Sequence, residues 1–159
     1  MMIARIMSLI AVLMVVLAPF GAAWAQTPPA TRLIDYVNAA RIQNGLTALA
    51  EHVRLSLAAI IHARDIAENG FVSHDGSDGS SVGERVSRAG YAWITVAENA
   101  AAGQPTVQEV IQGWMKSLGH RENILNENIR EIGAGHVTVP NFGSSQNYTH
   151  FWVVVFARR

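Results

Sequence analysis

After Thr31, a residue type that caps helices, Leu33, Val37 and Ala40 recur at helical spacing and Gly45 follows Asn44. The pattern predicts a helix over residues 31–44. Leu55, Ala59, His62 and Ile66 repeat the spacing and predict a second helix over 53–69, closed by Gly70. Residues 73–81 read Ser-His-Asp-Gly-Ser-Asp-Gly-Ser-Ser, a polar, glycine-rich loop. A short helix over 82–89 ends at Gly90, and the aromatic and β-branched run 91–96 predicts a strand. Thr106 and Glu109 form a capping box. It opens a helix with Val107, Val110, Ile111, Trp114 and Leu118 on one face. Gly119 interrupts that helix, and residues 120–125 are expected to add one more turn.

The last third changes period. Residues 132–139 alternate, with Ile132, Ala134, His136 and Thr138 on one face. Residues 141–147 predict a turn. Residues 148–156 are apolar on both faces, which predicts a central strand. Helices first and a hairpin last argue for the α+β class, with an antiparallel sheet covered by helices. No internal repeat is visible.

The beginning of the chain follows a different logic. Arg5 precedes an apolar run over 6–18, broken by Pro19 and Gly21, and Ala23-Trp24-Ala25 offers a small-x-small cleavage site. Residues 1–25 read as a secretory signal peptide cut after Ala25. Residues 26–30 read as a linker and 31–159 as one domain. No stable membrane insertion is expected once the leader is removed.

Composition narrows the chemistry. The 159 residues hold 12 Lys+Arg against 12 Asp+Glu and no cysteine. A balanced chain without a basic run carries no electrostatic footprint for nucleic acid. Without cysteine there are no disulfides, thiolate metal sites or Cys nucleophile. An exported domain of this kind must stand on its own core, which suggests a bacterial product, periplasmic or released. The sequences H-E-x-x-H, G-x-S-x-G, the P-loop and G-x-G-x-x-G after a strand are all missing.

Six histidines follow the leader. His62 and His136 sit on patterned faces and read as core or boundary residues. His52 lies near a predicted helix start, and packing in the last strand explains His150. His74 and His120 differ, because each lies beside glycine in a loop or at a helix edge, in S-H-D-G and L-G-H-R-E-N. Glu98, in V-A-E-N-A-A-A-G, is a carboxylate in small apolar company and needs a partner if buried. The same residues could equally serve only as caps and helix ends.

Seven motifs in order now stand out: N-A-A-R-I-Q-N-G-L at 38–46, H-A-R-D-I-A-E-N-G at 62–70, S-H-D-G at 73–76, R-V-S-R-A-G-Y at 85–91, A-E-N-A-A-A-G at 97–103, V-I-Q-G-W-M-K-S-L-G-H-R-E-N-I-L at 110–125 and I-G-A-G at 132–135. The series resembles the CAP superfamily of cysteine-rich secretory, antigen 5 and pathogenesis-related proteins, also called the SCP domain, in its short cysteine-free bacterial form. The resemblance implies a three-layer α–β–α sandwich with a central, mainly antiparallel sheet. It also implies a cavity lined by two histidines and two acids. His74, His120 and Glu98 match three of these. Glu84 is the candidate for the fourth, with Asp75 and Asp78 as alternatives. Relatives of this type are credited with Zn²⁺ or another divalent cation on the two histidines. They are also credited with sterol or lipid binding, protein interaction and proteolysis, so the partner expected here is a small-molecule, lipid or cell-envelope ligand.

Two protein ligands are fewer than the usual three of a catalytic zinc site, so enzymatic activity does not follow. A binding or interaction module is the favoured reading. A metal-assisted hydrolase, such as a peptidase, with Glu98 or Glu84 as general base, is the alternative.

Overall fold

The computed structural model describes residues 27–70, 72–140 and 148–159. The expected leader, its cleavage site and the predicted turn at 141–147 lie outside the described residues. Five helices and four strands follow in the order α1 (Pro29–Gln43), β1 (Ala50–Glu51), α2 (Val53–Asn69), α3 (Val82–Arg88), β2 (Thr95–Ala102), α4 (Val107–Lys116), α5 (Leu118–Ile124), β3 (Glu131–Thr138) and β4 (His150–Arg158). The class is α+β, as the periodicity predicts.

The four strands form one mixed sheet in the order β1-β3-β4-β2. β4 is central, antiparallel to β3 on one side and to β2 on the other. That position explains why its residues are apolar on both faces. The two-residue β1 runs parallel to β3 at the other edge.

Alternation along β4 divides the interior into two cores. Trp152, Val154 and Phe156 pack with α1, α4 and Ile124 of α5. Phe151, Val153, Val155 and Ala157 pack with α2 and Val86 of α3. The sheet is therefore sandwiched, with α1, α4 and α5 on one face and α2 and α3 on the other. No helix among the described residues is long and apolar enough to cross a membrane.

Several elements depart from the sequence pattern. α1 begins at Pro29, inside the expected linker, because the fixed φ of proline suits the first helical position. The strand predicted over 91–96 lies instead at Thr95–Ala102, in register with β4 along its whole length. Leu118, placed on the buried stripe of α4, is 74% exposed. Extended backbone at Ser117 ends α4 and sets α5 off in a new direction.

Half of the expected capping box forms: Thr106 Oγ1 accepts from Glu109 N at 3.3 Å, while the Glu109 carboxylate accepts from the Thr106 hydroxyl at 3.1 Å rather than from its backbone N–H. Thr106→Ala is expected to cost about 1 kcal/mol, as for other lost N-caps. Urea denaturation of the variant is the check, and an unchanged midpoint would show that the cap is redundant.

Candidate functional site

Glu98 is the centre of the site. It lies in the middle of β2, an edge strand, and its side chain is 1% exposed. A carboxylate so placed needs partners for both oxygens. Arg85 Nη2, from α3, donates to Oε2 at 2.8 Å, and His74 Nδ1 lies 3.0 Å from Oε1. His62 Nε2, from α2, stands 3.6 Å from the same Oε1.

Arg85 also holds the loop that carries His74. It donates to the carbonyls of Ser80 at 2.5 Å and His74 at 2.9 Å. His62 is fully buried, and its Nε2 lies 2.9 Å from the Ser73 carbonyl. A carbonyl only accepts, so Nε2 bears the proton. Neither His62 nor Arg85 is prominent in the sequence as a site residue. Both would pass for helix packing, yet a cation at Arg85, on the apolar face of α3 with Val82 and Val86, is the signal that could have exposed it.

His120 reaches the same edge from α5 on the opposite face. Two asparagines fix it there. Asn99 Nδ2 donates to the His120 carbonyl at 3.0 Å, and Asn123 Nδ2 donates to Asn99 Oδ1 at 2.9 Å and to the Glu98 carbonyl at 3.1 Å. His120 Nδ1 lies 3.0 Å from Ser117 Oγ. Burial, and then the charge of His74, lowers the pKa of His120.

His74 shifts the other way. The hydrogen bond to Glu98 raises its pKa, against partial desolvation. A raised histidine pKa means that this pairing stabilises the fold fully below the unfolded value, near 6.5, and loses its effect as pH rises through the folded value.

None of the three acids considered for a fourth position shares a hydrogen bond with Glu98 among the described residues. Glu84 Oε2 accepts from Ser81 N and Oγ, both at 2.8 Å, and so caps α3. Those bonds lower its pKa. Asp78 pairs with Arg88 at 2.5 Å. Asp75 is exposed, and its charge adds to the upward shift of His74. Among the described residues no group of three or more His, Asp or Glu side chains is disposed to hold a metal ion.

A cleft of about 310 Å³ opens between α2 and α3 and shares residues with this cluster. Leu57, Ile61 and Ala89 give it apolar walls, and His62, Asp65 and Arg85 give it polar ones.

The comparisons with known proteins agree with this architecture. The model of the cysteine-rich secretory protein (CAP) family matches residues 34–156. The chain is 35% identical over 106 residues to uncharacterized protein YkwD of Bacillus subtilis, covering 67% of this chain and 41% of YkwD. It is 27% identical over 127 residues to the uncharacterized membrane protein YlbC of the same organism, covering 80% of this chain and 36% of YlbC. The chain thus spans about two fifths of the length of these relatives. Among solved structures it is similar to an SCP-domain extracellular protein from Bacillus anthracis. There the TM-score is 0.72 and identity 29%, over 82% of this chain and 40% of that one. An outer surface protein from Borrelia burgdorferi shares the fold at TM-score 0.71 and 22% identity, over 81% of this chain and 91% of that one. With the family model spanning both helical layers and the sheet between them, and with no cysteine anywhere, the chain belongs to the CAP family as a cysteine-free member.

Proposed function

We propose that this is an exported bacterial CAP domain that acts as a binding or cell-envelope interaction module, with His74 and His120 able to hold one divalent cation. One observation carries the metal reading. In both histidines Nδ1 is engaged by an oxygen, Glu98 Oε1 for His74 and Ser117 Oγ for His120. Nε2 of each has no hydrogen-bond partner among the described residues. A carboxylate behind an imidazole fixes its tautomer and raises its basicity, the arrangement found behind histidine metal ligands. The donor set therefore fits Zn²⁺ or another borderline ion, with two imidazoles from the protein and the remaining positions left to water or ligand. When bound, such an ion would supply an electrophilic centre at the sheet edge.

Binding is favoured over hydrolysis by the state of the acids. A general base needs a free carboxylate within reach of a water. Both oxygens of Glu98 are held inside the fold, and Glu84 is tied to Ser81. The cleft between α2 and α3, with apolar walls beside a charged cluster, suits a small amphiphile or an apolar side chain of a partner. Export is supported by the leader-like N-terminus and by the extracellular and outer-surface descriptions of similar structures.

Zn²⁺ titration followed by the ring resonances of His74 and His120 tests the metal reading. Both rings should shift together, and His74→Ala or His120→Ala should weaken binding at least about tenfold. As pH drops, affinity should already be falling above about pH 6.5 and decline further below it, because each imidazole must be unprotonated. The raised pKa of His74 makes it the first to compete. Wild-type affinity in either variant would show that the histidines do not share an ion.

A further inference from the structure

We infer that the cleft between α2 and α3 takes an uncharged ligand of about a dozen non-hydrogen atoms, with an apolar body and a hydroxyl group that meets His62 and Arg85. This rests on the reading of the domain as a binding module, and gives its cleft a ligand class. Size follows from volume. The cleft holds about 310 Å³, about twice the ~150 Å³ cavity that accommodates one benzene ring. A sterol or a two-chain lipid would leave most of its body outside. Leu57 and Ile61, one turn apart on α2, are large, apolar and half-exposed at the rim. Ala58 and Ala89 leave room between the helices. Covering the two large side chains with an apolar body removes that surface from water.

Charge argues against an ionic head group. Asp65, Asp78, Arg85 and Arg88 line the cleft, two of each sign, and each is already engaged. Asp65 accepts from Ser77 N at 2.8 Å and from Ser77 Oγ at 2.5 Å. Asp78 pairs with Arg88, and Arg85 with Glu98. A charged ligand would find no free counter-charge among these four and would have to displace one of their partners.

Two polar atoms of the lining residues have no hydrogen-bond partner among the described residues, His62 Nδ1 and Arg85 Nε. His62 gives its Nε2 proton to the Ser73 carbonyl, so in the neutral ring Nδ1 is an acceptor. Asp65 Oδ2, 3.8 Å away, is itself an acceptor and cannot serve it. Arg85 commits Nη1 and Nη2 to Ser80, His74 and Glu98, while its Nε–H has no acceptor. Both side chains are more than nine-tenths buried, and they flank the two oxygens of one carboxylate, Glu98. A buried donor and a buried acceptor left open are costly. A hydroxyl group both donates and accepts, whereas a carboxylate cannot donate and an ammonium cannot accept. A water held there would be displaced without loss by an alcohol that repeats its bonds. Neither nitrogen is open to bulk solvent, so the ligand enters by displacing the rim, where Leu57, Ile61 and Arg88 are half-exposed or more.

The test titrates the wild-type protein, without metal, with 1-octanol, its methyl ether, octanoate and octylammonium, and follows the methyl groups of Leu57 and Ile61 by NMR. 1-Octanol should move both in one saturable step. Octanoate and octylammonium should bind at least about tenfold more weakly, and so should the ether, which accepts but cannot donate to His62 Nδ1. Replacing His62 would also release the Ser73 carbonyl, so the acceptor is probed from the ligand side. Ile61→Gln, at a half-exposed position, should weaken 1-octanol at least about fivefold. Equal binding of the ether or of the charged octyl compounds would overturn the proposal and leave an unselective apolar cleft. Unmoved methyl groups with all four compounds, or wild-type affinity in Ile61→Gln, would overturn it too and leave the cleft to the side chain of a partner. Neither result touches the His74–His120 ion, since no metal is added.

Discussion

Gly133→Ala is expected to cost at least about 3 kcal/mol, and in a domain of this size it threatens folding altogether. A Cβ at Gly133 would stand 2.1 Å from Ser56 N and 2.2 Å from Leu55 C, both backbone atoms of α2. Overpacking against a flexible side chain is relieved by a rotamer change. Overpacking against a helix backbone is relieved only by moving the helix. α2 would have to lift off β3, opening the core formed by Leu55, Ala59, Val153 and Val155. Gly113→Ala is the control, since a Cβ there meets nothing within 4 Å. On the exposed face of α4 it should stabilise by about 0.5–1 kcal/mol, the helix preference of alanine over glycine. Urea denaturation of both variants gives the comparison. A Gly133→Ala midpoint close to wild type would mean that α2 does not lie so near the sheet.

That close approach shows what a sequence can and cannot disclose. The I-G-A-G motif announces two glycines on a strand but not what approaches them. Only packing reveals α2 on Gly133 and Gly135. Helices written in apolar periodicity were legible, because α2 and α4 bury the residues that the pattern selects, with Leu118, beyond the end of α4, as the exception. β4 was legible as a central strand, because both of its faces are apolar. β2 was misplaced, because Ala97 and residues 99–102 have weak strand preference. Eight register partners along β4 hold them extended, a tertiary effect that overrides local propensity.

The site divides in the same way. Glu98, His74 and His120 could be named because each interrupts its surroundings: a carboxylate among alanines, or a histidine beside a glycine. His62 could not, since it falls on the apolar stripe of α2 and is as buried as its neighbours. Its polarity is used only where the loop carbonyl of Ser73 and the Glu98 carboxylate arrive from elsewhere in the chain. Ser117, which faces His120 Nδ1, looks like any serine at a helix end. Glu84 was the most visible acid after the loop, but visibility came from its capping role. Ser-x-x-Glu before Arg85 and Val86 is a helix start, and the carboxylate is used there.

Arg85→Met is expected to cost about 3–5 kcal/mol, as when one partner of a buried ion pair is removed. Arg85 is 7% exposed, and its guanidinium joins the Glu98 carboxylate to the backbone of Ser80 and His74. Methionine fills much of the same volume but supplies no charge and no donor. Glu98 would then stand in the interior with His74 as its remaining close hydrogen-bond partner. A carboxylate left in the interior without its cation is unfavourable, which is why the loss should be large. The loop at 73–81 should loosen with it, because the carbonyls of Ser80 and His74 lose their donor, and Zn²⁺ affinity at His74 should fall in parallel. Arg85→Met combined with Glu98→Leu removes both charges together, and should recover much of the lost stability while leaving metal binding impaired. Denaturation curves of the two single variants and the double variant close the cycle. If Arg85→Met alone lies within about 1 kcal/mol of wild type, the pair behaves like an exposed ion pair, and Glu98 is not held in the interior by Arg85.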